Sequence, residues 1–211
     1  MKRIILADDH SFIRLGLIQI LKDEYPSVEI IEVNDGESLI KEITLHDFDM
    51  VISDLDMPGR NGLQALEQIK LIKPGLPVLI LSIYPEDLYA IRALKAGASG
   101  YLNKNAAPYE LITAVQRILM GRKYITAEVA EKILGQKKDK KLHEMLSNRE
   151  FEIFKLLALG KTVTQIAESL SIALTTVSTH RSRIMEKLDL RTNSGLTRYA
   201  ITHHIISDLN G

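Results

Sequence analysis

Short apolar runs alternate with amphipathic stretches through the first 121 residues of the chain. Arg3-Ile4-Ile5-Leu6-Ala7, Val28–Val33, Met50-Val51-Ile52-Ser53, Pro77–Ser82 and Gly100-Tyr101-Leu102-Asn103 are each four to six residues long, which suits buried strands. Between the first two lies a stretch from about Ser11 to Glu24 with Phe12, Leu15, Ile18 and Leu21 near helical spacing. Asn34-Asp35-Gly36 turns into a helix ending near Leu45. The loop Met57-Pro58-Gly59-Arg60-Asn61-Gly62 precedes a helix to about Lys73, stopped by Pro74-Gly75. A fourth helix runs to about Ala96, Gly97-Ala98-Ser99 leads into the fifth strand, and Pro108 suits the first position of a last helix that Gly121 closes. Strands alternating with helices of this length predict right-handed βαβ units and a five-stranded parallel α/β sheet covered on both faces.

The pattern then changes. Tyr124–Leu134 reads as a short helix capped by Thr126, and the lysine-rich run from Gln136 to Lys141 has nothing apolar to bury and reads as a solvated tether. The rest predicts short helices only. Ser147-Asn148-Arg149-Glu150 is a capping box opening a helix with Phe151, Phe154, Leu157 and Ala158 on one face. Thr162-Val163-Thr164-Gln165 opens a very short helix to Leu170. A turn at Ser171-Ile172-Ala173 feeds a longer helix from about Thr175 to Leu188, and a final helix begins near Asn193. A short helix, a tight turn and a longer helix form a helix-turn-helix layout. The expected organisation is a domain over 1–121, a linker with a short helix over 122–143, and an all-α four-helix domain over 144–211.

Composition narrows the chemistry. The 211 residues are 45% apolar and 26% charged, enough to pack a core without staples. No cysteine is present, which excludes disulfides, thiolate catalysis and Cys-ligated zinc. No apolar run approaches the roughly 18 residues needed to span a bilayer, and the N-terminus enters a strand directly, so a cytoplasmic protein with no membrane partner is expected. The zero net charge is a cancellation: residues 1–121 carry 12 Lys/Arg against 17 Asp/Glu, residues 122–143 carry 7 against 3, and residues 144–211 carry 8 against 7.

Asp8-Asp9, Asp54 and Lys104 each follow or end one of the strand-like runs. Ligands of parallel sheets bind at the carboxyl ends of the strands, so these groups converge if the strands are neighbours. Three carboxylates and one ammonium are a kit for holding a divalent cation, Mg2+ in the first place, and moving a phosphoryl group. Asp54 is the candidate phosphoryl acceptor, with Lys104 and the Ser82 hydroxyl holding the oxygens of the transferred group.

Ile5-Leu6-Ala7-Asp8-Asp9-His10, Ser53-Asp54-Leu55-Asp56-Met57-Pro58-Gly59-Arg60-Asn61-Gly62, Leu81-Ser82, Ala96-Gly97-Ala98-Ser99-Gly100-Tyr101 and Lys104 resemble the receiver domain of two-component response regulators over residues 1–121. The resemblance implies a doubly wound, flavodoxin-like sheet and phosphoryl transfer to Asp54 from a sensor histidine kinase. It also implies magnesium held by Asp8, Asp9, Asp54 and the main-chain carbonyl of Asp56, and a switch pair of Ser82 and Tyr101. Tyr101 reads equally as a plain half-buried aromatic. Two positions depart from the family pattern: Ile83, which narrows the approach to Asp54, and Asp56, which adds a carboxylate two residues after the acceptor.

Residues 146–200 resemble the LuxR-type helix-turn-helix, which makes the chain similar to the NarL/FixJ-type response regulators. Val177, Ile184 and Leu188 share a core face by their spacing. Thr175, Thr176, Ser178, Thr179, Arg181, Ser182, Arg183 and Lys187, with Lys161 and Thr162, are then the candidate contacts to double-stranded DNA. Ser178 stands where relatives often carry lysine, and Asp189 where they usually carry glycine in a left-handed cap. Leu196, Tyr199 and Ala200 are expected to form a homodimer on activation.

Other readings stand beside these. Asp8-Asp9 alone is equally a helix cap, and Asp54-Leu55-Asp56 also resembles the start of an aspartate-nucleophile phosphatase, although that motif belongs on a first strand. His10, His46, His143, His203 and His204 read as surface or structural residues, His180 as a packed helix residue, and Ser147 and Thr162 as caps. There is no GxxxxGK loop, so ATP hydrolysis is not expected and the only self-catalysis is phosphorylation and dephosphorylation of Asp54. Competing functions are a protein-binding regulator that no longer reads DNA and a constitutive DNA binder with a silent receiver.

Overall fold

The structure is a computed structural model that describes residues 2–84, 86–106, 108–135 and 141–206. It divides into two compact units, Met1–Gly135 and Gln136–Gly211. In the first, the elements are β1 (Arg3–Ala7), α1 (Ser11–Glu24), β2 (Glu29–Val33), α2 (Gly36–Leu45), β3 (Met50–Asp54), α3 (Gly62–Ile72), β4 (Val78–Ser82), α4 (Glu86–Lys95), β5 (Gly100–Asn103), α5 (Pro108–Leu119) and α6 (Ala127–Gly135). The strands form the parallel five-stranded sheet that the alternation of apolar and amphipathic stretches predicts, and their order is β2-β1-β3-β4-β5.

Every residue of β3 and β4 is buried, which a central strand covered by helices on both faces requires. Ile4, Leu6, Met50, Ile52, Leu79 and Leu81 point to one side and pack with residues of α1 and α5. Side-chain caps fix two helix starts beside the carboxyl ends of the strands: Asp35 accepts from the Ser38 N–H and Asn61 from the Gln64 N–H. Gly62, the first residue of α3, lies so close to β3 that a Cβ there would sit 2.1 Å from the Asp54 carbonyl oxygen.

The expected linker begins too early. Residues 122–135 belong to the first unit: Tyr124 bridges Gly100 beside the outer strand, its N–H donates to the Ser99 carbonyl at 2.9 Å, and α6 packs on α4. Thr126 Oγ1 donates to Glu86 Oε2 at 2.6 Å, and Val129 is buried. The physical reason is that β5 is an edge strand, whose outer groups need a cover. Residues 136–140, the centre of the expected tether, lie outside the described residues.

The second unit contains a 3-10 turn (Leu142–Met145), α7 (Asn148–Ala158), α8 (Val163–Ser169), α9 (Leu174–Lys187) and α10 (Asn193–Thr202). Both predicted capping boxes form, Ser147 with Glu150 and Thr162 with Gln165. Phe151, Phe154, Ile166, Val177, Ile184, Leu188, Leu196 and Ala200 are its buried core. Asp189 has φ +52 just past α9, the left-handed cap expected there. Among the described residues no helix is long and apolar enough to cross a membrane.

Candidate functional site

The strand order places the ends of β1, β3, β4 and β5 along one edge of the sheet, and the chemistry is gathered there. Lys104 Nζ lies 2.7 Å from Asp8 Oδ2 and 2.7 Å from Asp54 Oδ2, and all three side chains are almost wholly buried. Ligand atoms of Asp8, Asp9, His10 and Asp54 all lie within 4.8 Å of one another. The Asp8 main chain is held in turn: its carbonyl accepts from Arg14 Nη1 at 2.5 Å and its N–H donates to the Val33 carbonyl at 3.1 Å. Burial, helped by the neighbouring Asp8 charge, pushes the Asp54 carboxyl above its usual range against the pull of Lys104 and the Asp56 N–H.

This donor set fits a hard divalent cation. Three carboxylates against one lysine leave a formal charge of −2 in a pocket buried at Asp8, Asp54 and Lys104 and open to solvent at Asp9, and oxygen donors suit Mg2+. Asp8, Asp9 and Asp54 would hold the ion.

Around Asp54, the loop after β4 is tied down by Tyr84, a residue the sequence reading passed over. Its hydroxyl donates to Asp56 Oδ2 at 2.5 Å, and its N–H donates to Ser82 Oγ at 3.1 Å. Its carbonyl accepts from the Tyr101 hydroxyl at 3.0 Å and from Asn103 Nδ2 at 3.3 Å. Its ring stacks on Tyr89 with centroids 4.9 Å apart. Burial, then the Asp56 hydrogen bond, raises the Tyr84 phenol well above its usual value. Tyr101 and Ser82 are both buried, and the two residues named as a switch pair meet through Tyr84. Ile83, expected to narrow the approach, is 61% exposed, its side chain turned largely to solvent.

Residues 4–116 match the response regulator receiver domain, and residues 144–200 match the bacterial regulatory proteins of the luxR family. The chain is 32% identical to the response regulator UvrY of Escherichia coli K12, over 96% of this chain and 95% of that protein. The chain belongs to the NarL/FixJ-type response regulators. The oxygen regulatory protein NreC of Staphylococcus haemolyticus is also 32% identical, over 97% of this chain and 99% of its own length. Among solved structures, RcsB of Salmonella enterica serovar Typhimurium, bound to promoter rprA in the presence of phosphomimetic BeF3−, superposes with a TM-score of 0.71 at 27% identity, covering 94% of this chain and 97% of that one.

In this response regulator's second unit, the residues expected at DNA do not all lie together. Thr175, Thr176, Ser178, Thr179, Ser182 and Arg183 on α9 are exposed, as are Lys161 and Thr162 before α8. The Thr179 and Ser182 hydroxyls donate back to the Thr175 and Ser178 carbonyls, leaving their oxygens outward as acceptors. Arg181 is engaged by Asn193 Oδ1 at 2.9 Å, which ties α9 to the start of α10. Lys187 is a correction: its Nζ lies 2.6 Å from Oε2 of buried Glu150, so it neutralises an interior carboxylate.

The dimer residues are a second correction. Leu196 and Ala200 are both 0% exposed because α10 packs its apolar stripe on α7 of the same unit, which leaves them no surface to offer a second copy. Tyr199 is likewise turned inward, its hydroxyl 3.2 Å from His143 Nδ1 and its ring against Phe154 and His203. Asn193, Ser194, Arg198 and Thr202 are the exposed positions of that helix.

Proposed function

We propose that this response regulator is a transcription factor switched by phosphorylation of Asp54. It takes the phosphoryl group from a sensor histidine kinase and binds promoter DNA as a homodimer in the cytoplasm. The observation that carries the reading is the placement of Asp54 Oδ2 at 2.7 Å from Lys104 Nζ inside a pocket of net charge −2. A carboxylate of Asp54 attacks phosphorus in line, forming a P–O bond as the P–N bond to the donor histidine breaks. A bound Mg2+, with the Asp56 carbonyl as a further ligand, supplies neutralisation of the phosphoryl oxygens. Lys104 already touches the acceptor and is positioned to follow the new phosphoryl oxygens, while Ser82 Oγ, which accepts from the Tyr84 N–H, keeps its own O–H to donate to them. A shift of Ser82 toward those oxygens would draw Tyr84 with it and strain its contacts to Asp56 and Tyr101, so the loop would carry the change from the acceptor to the α4 side of the sheet. The chain acts on itself and turns over no outside substrate.

The exposed polar face of α9, with Arg183, Lys161 and Thr162, supports the DNA reading. The test compares wild type with Asp54→Ala on duplex DNA with a small-molecule phosphodonor and Mg2+. Wild-type affinity should rise on phosphorylation, and the variant should fold but stay at its basal affinity. A dimer neutralising about eight phosphates should give a slope near −7 in log K against log salt. A donor response that survives in Asp54→Ala defeats the acceptor assignment; a flat salt plot defeats the DNA reading.

A further inference from the structure

We propose that His10 Nδ1 is a fourth ligand of the Asp8–Asp9–Asp54 metal site and biases it toward late first-row transition ions such as Co2+ and Ni2+ over Mg2+. The inference rests on the reading that this pocket binds a divalent cation, and adds to it the identity of the ion the pocket prefers.

The geometry is that of donors around one ion. Six donors about 2.1 Å from a common metal stand about 3.0 Å apart when adjacent and about 4.2 Å apart when opposite. His10 Nδ1 lies 2.7 Å from Asp9 Oδ1, 3.4 Å from Asp8 Oδ1 and 3.9 Å from Asp54 Oδ2, so one nitrogen already stands within the outer of those spacings from all three carboxylates, and small side-chain shifts bring the four donors around one ion. The residue is also held in place for this. Its N–H donates to Asp8 Oδ1 at 2.8 Å, anchoring its backbone to the most buried carboxylate of the group. It stands at the N-cap of α1 but makes no side-chain capping bond, so the helix start makes no use of the ring. Lys104 approaches the carboxylates from the buried side, whereas the His10 side chain is 59% exposed and reaches in from solvent, the route by which an ion arrives.

Ligand chemistry turns that placement into selectivity. Imidazole is a good ligand for late first-row ions and a poor one for Mg2+, whose ligands are oxygens. A neutral nitrogen adds no charge, so the −2 of the pocket still matches one divalent ion. The same contacts are open to a second explanation, a ring that merely pairs with Asp9. That explanation predicts that deleting the ring strengthens binding of every cation, because a competitor leaves.

The test is calorimetric titration of full-length wild type and His10→Ala with Mg2+ and with Co2+, alongside the visible absorption of bound Co2+. The proposal expects Co2+ affinity to fall about tenfold or more in the variant, Mg2+ affinity to change less than about threefold, and the Co2+ band to shift as nitrogen leaves the coordination sphere. Equal changes for the two ions, or Co2+ binding retained or improved in His10→Ala, overturns it while leaving the cation site standing. Failure of wild type to bind either ion overturns both.

Discussion

Replacing Lys187 by alanine separates two roles that the same side chain has been assigned. In the structure its ammonium sits 2.6 Å from Glu150 Oε2, with Glu150 3% exposed and Lys187 36% exposed. Removing one partner of a fully buried pair costs about 3–5 kcal/mol, and a hydrogen bond to a charged group contributes about 1.5–3 kcal/mol. The lower range applies, because Lys187 is partly solvated and Glu150 keeps the Ser147 N–H at 2.8 Å. The expected loss is about 2 kcal/mol, which for a unit of this size lowers its Tm by about 8–16 °C in a calorimetric scan of the full chain. The loss should depend on pH. Burial alone would raise the Glu150 carboxyl, but Lys187 and the Ser147 N–H outweigh it and hold it below 4.5. A depressed folded-state value gives stability that is present above pH 4.5 and disappears as pH falls through that lower value. Wild type and Lys187→Ala should therefore converge in acid and diverge above pH 4.5. DNA binding should keep its salt slope, whereas loss of a phosphate contact would reduce it by about one per protomer. An unchanged Tm with a smaller slope would refute the interior role.

Gly62→Ala should destabilise the first unit by at least about 1–3 kcal/mol, because its Cβ would meet the Asp54 carbonyl at 2.1 Å and push β3; thermal unfolding reads the loss, and an unshifted Tm would refute the close approach. Asp189→Gly should stabilise the second unit by about 0.5–1 kcal/mol in denaturant titration, since φ +52 strains a side chain there; destabilisation would mean the carboxylate has a compensating partner. Burial lowers the His180 imidazole below 6.5, so its contribution to stability is present above pH 6.5 and is lost as pH drops through the folded-state value. His180→Phe should flatten that part of the stability profile, and an unchanged profile assigns the acid sensitivity elsewhere.

Local signals in the sequence carried far. Strand-length apolar runs, the two capping boxes and the left-handed position at Asp189 are encoded by residues within a few positions of one another, and each forms as read. What the sequence hid depends on distant partners. The apolar stripe of α10 does not say whether α7 or a second copy covers it, so Leu196 and Ala200 read as interface and fold as core. Lys187 sits among groove-facing neighbours, while its partner Glu150 is 37 residues away. Tyr84 and His10 look like unremarkable loop residues until the loops bring one onto Asp56 and the other against three carboxylates. The motif was legible because its residues end strands; its surroundings were not, because loop geometry has no period.

The way Tyr124 and α6 close the open side of β5 dictates where this chain can be cut. A fragment ending at residue 121 would bare one rim of the sheet together with the faces of Tyr124's and Val129's former neighbours, inviting copies to stack strand to strand. One extended to residue 135 carries its own seal, and is the natural choice for isolating the receiver half.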